Sequence, residues 1–116
     1  GEPKEAVYGA LKAGINSLMK SLARENGRFG IRCNAVCPGV TIPEEDEDVG
    51  SQSMWAKKDS MFTEEQFAAI ANALPLKKVG KPTDLANAVL FMSSNVASGH
   101  VTGQVLSVSG GYSMIG

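Results

Sequence analysis

The sequence predicts an α/β fold in which helices cover a parallel sheet, and this chain holds only part of that sheet. An amphipathic helix comes first and a short apolar strand follows it directly, which is the second half of a β-α-β unit. The strand lacks polar alternation, as expected of a parallel strand covered on both faces. Another short strand lies near the end of the chain, and two buried strands do not make a stable sheet alone.

The first helix is predicted from about Val7 to Asn26. Lys20 and Arg24 lie near its end, where the helix dipole favours cations. Asn26 is followed by Gly27, which is a typical stop signal. Four apolar residues recur at helical spacing and form one stripe: Leu11, Ile15, Leu18 and Leu22.

The segment IRCNAVCPG at residues 31–39 is predicted to be a strand that ends in Pro-Gly. Its two cysteines, Cys33 and Cys37, would lie roughly 13 Å apart along one strand, beyond the reach of a disulfide. We therefore expect them to be small core residues in a reducing compartment. His100 is the only histidine and no CxxC motif occurs, so the sequence does not favour a metal site. His100 is expected at the surface or in a turn.

Residues 43–62 are predicted to be irregular, with the acidic run EEDED at 44–48 as a solvated loop. Large apolar residues follow this run: Met54, Trp55, Met61 and Phe62. Thr63 and Gln66 have the spacing of a capping box, which predicts that a helix begins at Thr63. The expected buried face of this helix is Phe67, Ile70, Ala71 and Leu74.

Another helix is predicted from about Pro82, because the sequence KPTD places a proline in the first turn. Its broad apolar face would consist of Leu85, Ala86, Val89, Leu90 and Met92. Residues 95–99 are predicted to be a turn-rich linker. The last strand is predicted over Gln104–Val108, before the sequence Ser-Gly-Gly.

The composition excludes several classes of protein. The chain of 116 residues is 43% hydrophobic and carries a net charge of −1, with its basic residues scattered. This balance gives no reason to expect a nucleic acid or a membrane surface as partner. No apolar run approaches the ~18 residues of a membrane span.

Tyr8 and Lys12 are four residues apart, so they share one face of the first helix. An ammonium near a phenol favours the phenolate, which makes Tyr8 a candidate proton donor or acceptor. The spacing alone also fits a packed aromatic beside a lysine whose stem covers apolar surface. The Pro-Gly after the first strand would lie at the carboxyl edge of the sheet, where such sheets bind ligands. There Gly39 would let a flat ring approach the backbone, or it is simply part of an ordinary turn.

In order and spacing, four segments resemble the short-chain dehydrogenase/reductase family: YGALKAG (8–14), IRCNAVCPGV (31–40), VGKPTDLANAVLFMSS (79–94) and TGQVLSVSGG (102–111). The resemblance covers nearly the whole chain, except the loop at about 43–62. It implies a Rossmann-type doubly wound parallel sheet of which residues 1–116 are the C-terminal portion of a single domain, incomplete on its own. The phosphate-binding glycine loop and the catalytic serine and asparagine of the family would lie upstream of this chain.

The resemblance implies NAD or NADP as cofactor. It makes Tyr8 the catalytic acid/base and Lys12 the cation that favours its phenolate and hydrogen-bonds the nicotinamide ribose. The segment lining the nicotinamide would be Pro38, Gly39, Val40 and Thr41. Where the family often has a threonine, this chain has Pro43, so either Thr41 replaces that contact or the contact is lost.

A second departure lies at the end of the last strand. Family members commonly have an aspartate before the final Gly-Gly, and this chain has Ser109. That position is usually structural, so we do not expect the change to remove activity.

The resemblance also implies a small-molecule carbonyl or alcohol substrate under a lid. The lid would be residues 43–74, an insertion in which Met54 and Trp55 contact a lipophilic substrate. These residues also fit a cap over the core or an oligomer contact. Family members are mostly dimers or tetramers, so we expect a homodimer or homotetramer of the complete protein, in the cytoplasm. The stripe on the first helix would then divide between sheet and subunit contacts.

Three functions compete at this stage. The leading one is an NAD(P)-dependent oxidoreductase that interconverts a ketone or aldehyde and an alcohol by hydride transfer. The alternative is a catalytically inactive relative that acts as a cofactor-binding or scaffold protein. A third is that the 116 residues fold and act alone, which would leave sheet edges and the helix stripe uncovered. A serine hydroxyl beside Tyr8 at the substrate position would separate the first two.

Overall fold

The computed structural model describes residues 3–43, 49–53, 56 and 63–114, and within them the chain has the predicted α/β fold. The acidic run at 44–48 lies outside the described residues, as do Met61 and Phe62. The elements in chain order are α1 (Ala6–Asn26), a 3-10 turn (Gly27–Phe29), β1 (Ala35–Pro38), α2 (Glu64–Ala73), α3 (Pro82–Ser93), α4 (Asn95–Ser98) and β2 (Val105–Val108).

The two strands pair in parallel, with Ala35 opposite Val105 and Pro38 opposite Val108. Helix α3 lies on both strands. Because the strands are parallel and in register, their carboxyl ends meet at one edge of the sheet. The turn that follows each strand therefore lies at that shared edge.

The connection between α2 and α3, residues 74–80, is attached to both of these turns. Gly80 donates its backbone N–H to the Val40 carbonyl at 2.9 Å and accepts from the Ile42 N–H at 3.0 Å. Leu76 donates its backbone N–H to the Gly110 carbonyl at 3.1 Å. This connection joins the segment after β1 to the segment after β2.

Helix α1 has the predicted extent and ends at Asn26, before Gly27, but Gly27 does not take the left-handed conformation that is common after a helix. Gly27 has a right-handed φ of −56° and opens the 3-10 turn. The left-handed residue is Gly30, at φ 75°, whose N–H donates to the Gly27 carbonyl. The side-chain amide of Asn26 donates to the Leu22 carbonyl at 2.9 Å, so this carbonyl near the end of the helix has a hydrogen-bond partner. The backbone itself continues in a right-handed turn.

The apolar stripe of α1 is uncovered in the described part of the chain. Its four leucine and isoleucine side chains are 39–67% exposed. The residues of α1 that are buried instead are Met19 and Ala23. A Cβ added to Gly103 would lie 3.6 Å from the Cβ of Ala23, so this face packs beside the start of β2.

β1 is shorter than predicted because residues 31–34 are engaged elsewhere. Asn34 accepts the Gln104 N–H at 3.1 Å and donates to the Val101 carbonyl at 3.0 Å. The Arg32 guanidinium donates to Asn95 Oδ1, Ser98 Oγ and the Val101 carbonyl at 3.1–3.3 Å. These bonds join the segment before β1 to α4 and to the segment before β2, ahead of the sheet ladder.

The predicted starts of α2 and α3 are confirmed. Thr63 Oγ1 accepts the Gln66 N–H at 3.2 Å and Gln66 Oε1 accepts the Thr63 N–H at 2.9 Å, which completes the capping box. Pro82 stands in the first turn of α3. On the predicted inner face of α2, Leu74 is buried and the other three residues are half-buried.

After Pro82, the predicted apolar face of α3 is only partly covered within the described residues, and the predicted linker at 95–99 is wrong. Val89 and Leu90 are 51% and 70% exposed, so the apolar face of α3 is broader than the surface the described chain offers to cover it. Residues 95–98 form the short helix α4 rather than a linker, because Ser94 Oγ accepts the Ala97 N–H at 3.1 Å and caps its start.

The remaining expectations concern single residues. Cys33 and Cys37 are both free thiols and half-buried. His100 is exposed in a turn. Among the described residues, no cluster of three metal-ligating side chains occurs, and no helix has the length and apolar character needed to cross a membrane.

Candidate functional site

Tyr8 and Lys12 lie one turn apart near the start of α1, as their spacing predicts. The Lys12 Nζ is 5.5 Å from the centroid of the Tyr8 ring, within the ~6 Å range of cation–π contacts. Tyr8 is 59% exposed, and within the described chain its hydroxyl has no hydrogen-bond partner. The phenol is therefore accessible and has a cation beside it.

The opposite end of α1 lies at the amino edge of the sheet. Ala23 packs beside Gly103, and the chain enters β1 nine residues after the helix ends. Fifteen residues at ~1.5 Å each separate Tyr8 from Ala23 by about 22 Å along the axis. Tyr8 is therefore at the end of α1 remote from the amino edge.

The segment Pro38–Thr41 contains the last residue of β1 and the turn that follows it. This segment is hydrogen-bonded to β2 and to the connection between α2 and α3. Gly39 donates its N–H to the Val108 carbonyl at 3.0 Å, and the Val40 carbonyl accepts from Gly80. Within the described residues, the backbone N–H groups of Val40 and Thr41 make no hydrogen bond. These two backbone donors are available to an acceptor at the carboxyl edge, such as the carboxamide oxygen of a nicotinamide.

The hydroxyl of Thr41 is directed back to its own turn. Thr41 Oγ1 donates to the Gly39 carbonyl at 3.3 Å. Pro43 is half-buried and offers neither a hydroxyl nor an N–H. The contact that the family makes with a threonine at position 43 therefore has no equivalent donor there, and the hydroxyl hydrogen of Thr41 is already in use.

The absence of a side chain at Gly39 has a structural explanation. A Cβ on this residue would lie 2.7 Å from both the Cα and the Cβ of Ser109. Contacts under about 3.0 Å are essentially never seen for a real Cβ. The glycine is required by the close approach of the two turns, whether or not a ring also rests on it.

Sequence reasoning treated Ser109 as a structural position and did not foresee its hydroxyl contacts. Ser109 is 9% exposed, and its Oγ lies 2.9 Å from Ser107 Oγ and 3.2 Å from the Ser113 carbonyl. Serines alternate at positions 107 and 109, and this alternation is the sequence signal that could have indicated these hydroxyl contacts. Met54 and Trp55, predicted to contact substrate, lie outside the described residues.

Comparison with known proteins identifies the relatives of this chain. A family profile described as enoyl-(acyl carrier protein) reductase matches residues 1–113. A 7alpha-hydroxysteroid dehydrogenase of Paraclostridium sordellii is 36% identical over 107 residues, which are 92% of this chain and 36% of that protein. A 3-oxoacyl-acyl-carrier-protein reductase of Staphylococcus aureus is 37% identical over 98% of this chain and 41% of its own length.

Solved structures give the same result. A short-chain dehydrogenase/reductase family oxidoreductase from Burkholderia thailandensis has a TM-score of 0.72 at 37% identity, over 91% of this chain and 37% of that one. An NADPH-bound short chain oxidoreductase from Pseudomonas aeruginosa PAO1, described as containing an atypical catalytic center, has a TM-score of 0.77 at 30% identity, over 99% and 42%.

The chain thus spans about two-fifths of the length of the relatives it matches. The match extends over nearly all of the chain, at the level of both sequence and fold. The predicted fold, an incomplete Rossmann-type sheet, is confirmed by the same neighbours. This chain belongs to the short-chain dehydrogenase/reductase family.

Proposed function

We propose that the complete protein is an NAD(P)-dependent oxidoreductase that interconverts a ketone or aldehyde and an alcohol, with Tyr8 as acid/base and Lys12 as its cationic partner. The family uses NAD or NADP, and the relatives named above are dehydrogenases and reductases. The bound dinucleotide supplies or accepts the hydride. In this proposal residues 1–116 form the C-terminal portion of the domain.

The arrangement of Tyr8 and Lys12 is the observation that carries the proposal. The Lys12 ammonium lies 5.5 Å from the centre of the exposed Tyr8 ring, so the cation and the phenol stand together on one face of α1. In reduction the Tyr8 hydroxyl gives its proton to the carbonyl oxygen, and in oxidation the phenolate takes the proton of the alcohol. Lys12 stabilises the negative charge that remains on Tyr8 after the proton has left.

The turn Pro38–Thr41 would hold the nicotinamide end of the cofactor. The N–H groups of Val40 and Thr41, which have no hydrogen bond within the described residues, are the donors we assign to the carboxamide oxygen. Lys12, by the family resemblance, would also reach the nicotinamide ribose. These residues bind and orient, while the phosphate-binding loop would belong to the part of the domain that precedes this chain.

We propose a lipophilic substrate, bound under a lid formed by residues 43–74. Large apolar side chains at Met54 and Trp55 support this class, as does the hydroxysteroid named for one relative. To test the substrate class, kcat/KM would be measured for three compounds that occur in the names of relatives: a hydroxysteroid, acetoacetyl-CoA and the sugar L-rhamnose. A preference for the sugar by kcat/KM would contradict the lipophilic class.

The test of the reaction is the Tyr8→Phe variant of the complete protein. Loss of the acid/base predicts that kcat falls by about 10²–10⁴, while dinucleotide binding measured by fluorescence titration is retained. Near-normal turnover by Tyr8→Phe would refute the assignment.

Lysine variants of α1 provide a matched pair. Lys12→Met removes the cation beside Tyr8, whereas Lys20→Met removes an exposed cation two turns further along the same helix. We expect a large loss of kcat for Lys12→Met and no change for Lys20→Met. Equal losses would indicate a general charge effect rather than a local one.

We also propose that the complete protein is a cytoplasmic homodimer or homotetramer. The exposed stripe of α1 supports a subunit contact, because side chains such as Leu11 and Leu18 remain 67% and 57% exposed. Light scattering at micromolar concentration should give at least twice the mass of one chain, and a monomer would contradict this.

The free thiols of Cys33 and Cys37 support a reducing compartment, which cell fractionation would test.

A further inference from the structure

The turns after the two strands touch each other directly. The Cα of Ser109 lies 2.7 Å from the position a Cβ would take on Gly39, and the Ser109 carbonyl oxygen lies 3.1 Å from it. The Gly39 N–H also donates to the Val108 carbonyl at 3.0 Å. Because the two backbones are this close, the position of the Ser109 backbone limits where the Gly39 backbone can lie.

The backbone at Ser109 is held in turn by its own hydroxyl. Ser109 Oγ donates to the Ser113 carbonyl at 3.2 Å and accepts the Ser113 N–H at 3.2 Å. The Tyr112 N–H donates to the Ser109 carbonyl at 3.1 Å. One side-chain oxygen thus closes residues 109–113 into a loop that rests at the carboxyl edge of the sheet.

Two features fix this loop further. Ser107 Oγ lies 2.9 Å from Ser109 Oγ and 3.0 Å from the Ser113 carbonyl oxygen. Gly110 and Gly111 have φ values of 62° and 90°, a region that favours glycine. The loop is therefore a closed unit in which Ser109 is the nearly buried centre.

We propose that Ser109 is a positioning residue for the cofactor. Its hydroxyl holds residues 109–113 closed against Gly39, and this sets where the Pro38–Thr41 turn offers its N–H groups to the carboxamide. The proposal rests on the function proposed above, because it assigns the nicotinamide to that turn. It predicts an effect on the nicotinamide end of the dinucleotide and none on the adenosine end.

The Ser109→Ala variant of the complete protein tests this. It removes three hydroxyl contacts and adds no atom that could collide with Gly39, so any effect comes from a loop that is no longer held closed. We expect binding of the reduced dinucleotide, whichever of NADH or NADPH the wild type binds, to weaken by about 5- to 10-fold. Binding of the matching ADP-ribose, with a 2′-phosphate in the NADPH case, is expected to stay unchanged.

Ser113→Ala is the matched control. Ser113 is exposed and contributes only backbone groups to these hydrogen bonds, so the same deletion there should leave both affinities unchanged. Ser109→Asp is a second variant, because it introduces the residue that the family commonly has here, and a carboxylate can still accept the Ser113 N–H and the Ser107 hydroxyl. We expect it to weaken dinucleotide binding less than Ser109→Ala, and a greater loss would contradict the role assigned to these hydrogen bonds.

The outcomes separate this proposal from the proposed function. If wild-type protein binds a dinucleotide and Ser109→Ala binds it equally well, the role of Ser109 is refuted and the function stands. If Ser109→Ala loses dinucleotide and ADP-ribose in equal proportion, Ser109 supports the fold generally and the proposal is also refuted. If the wild type binds neither NADH nor NADPH, the proposed function fails, and the role of Ser109 fails with it.

Discussion

Replacing Gly39 by alanine would show whether packing or a ligand requires a glycine there. The new Cβ would lie 2.7 Å from two carbon atoms of Ser109, whereas carbon atoms in contact are normally about 3.5–4.0 Å apart. The overlap is close to 1 Å, and a Cα cannot rotate away from it. Overpacking of this kind costs ~1–3 kcal/mol, reduced by ~0.4–1 kcal/mol because alanine restricts the unfolded chain.

We therefore expect Gly39→Ala to lower the free energy of unfolding by about 1–2 kcal/mol without any cofactor present. Urea denaturation of the complete protein, followed by circular dichroism, measures this change. Gly27→Ala is the control, because Gly27 has φ −56° and no heavy atom within 4 Å of its Cβ position. Unchanged stability of Gly39→Ala together with weaker dinucleotide binding would refute the packing argument and leave the ring as the reason for the glycine.

Three further predictions use the same urea measurement. Gly30→Ala should destabilise by ~1–2 kcal/mol because φ is 75° there, and a value equal to that of Gly27→Ala would contradict this. Arg32→Ala should cost ~1.5–3 kcal/mol through its lost hydrogen bonds, whereas Arg28→Ala, which loses only a ring contact at 4.7 Å, should cost little. Thr63→Ala should cost ~0.5–2 kcal/mol and Thr63→Ser almost nothing; equal effects would argue against the capping box.

Local sequence signals were sufficient to predict most helices and strands. The capping box at Thr63 involves residues three apart, and the proline at the start of α3 acts through its own backbone. Such features do not depend on the remainder of the fold. The shared face of Tyr8 and Lys12 is predictable for the same reason, since helix geometry alone brings them together.

What the sequence could not predict depends on contacts between distant segments. The helix ends before Gly27 as predicted, but the left-handed residue is Gly30, three positions further on, and the local pattern does not distinguish these two glycines. The periodicity of α3 indicates an apolar face but not whether a surface covers Val89 and Leu90. The contact between Gly39 and Ser109 joins residues seventy positions apart, so no local pattern indicates it.

The attachment of residues 74–80 to the ends of both strands has a mechanical consequence. Helix α2 stands directly before this connection, and Leu74, the first residue of the connection, is 3% exposed. A displacement of α2 that reaches Leu76 and Gly80 pulls on the backbone after β1 and after β2 simultaneously. Two loops far apart in the chain are therefore coupled through residues 74–80, and a substitution in this connection affects both of them.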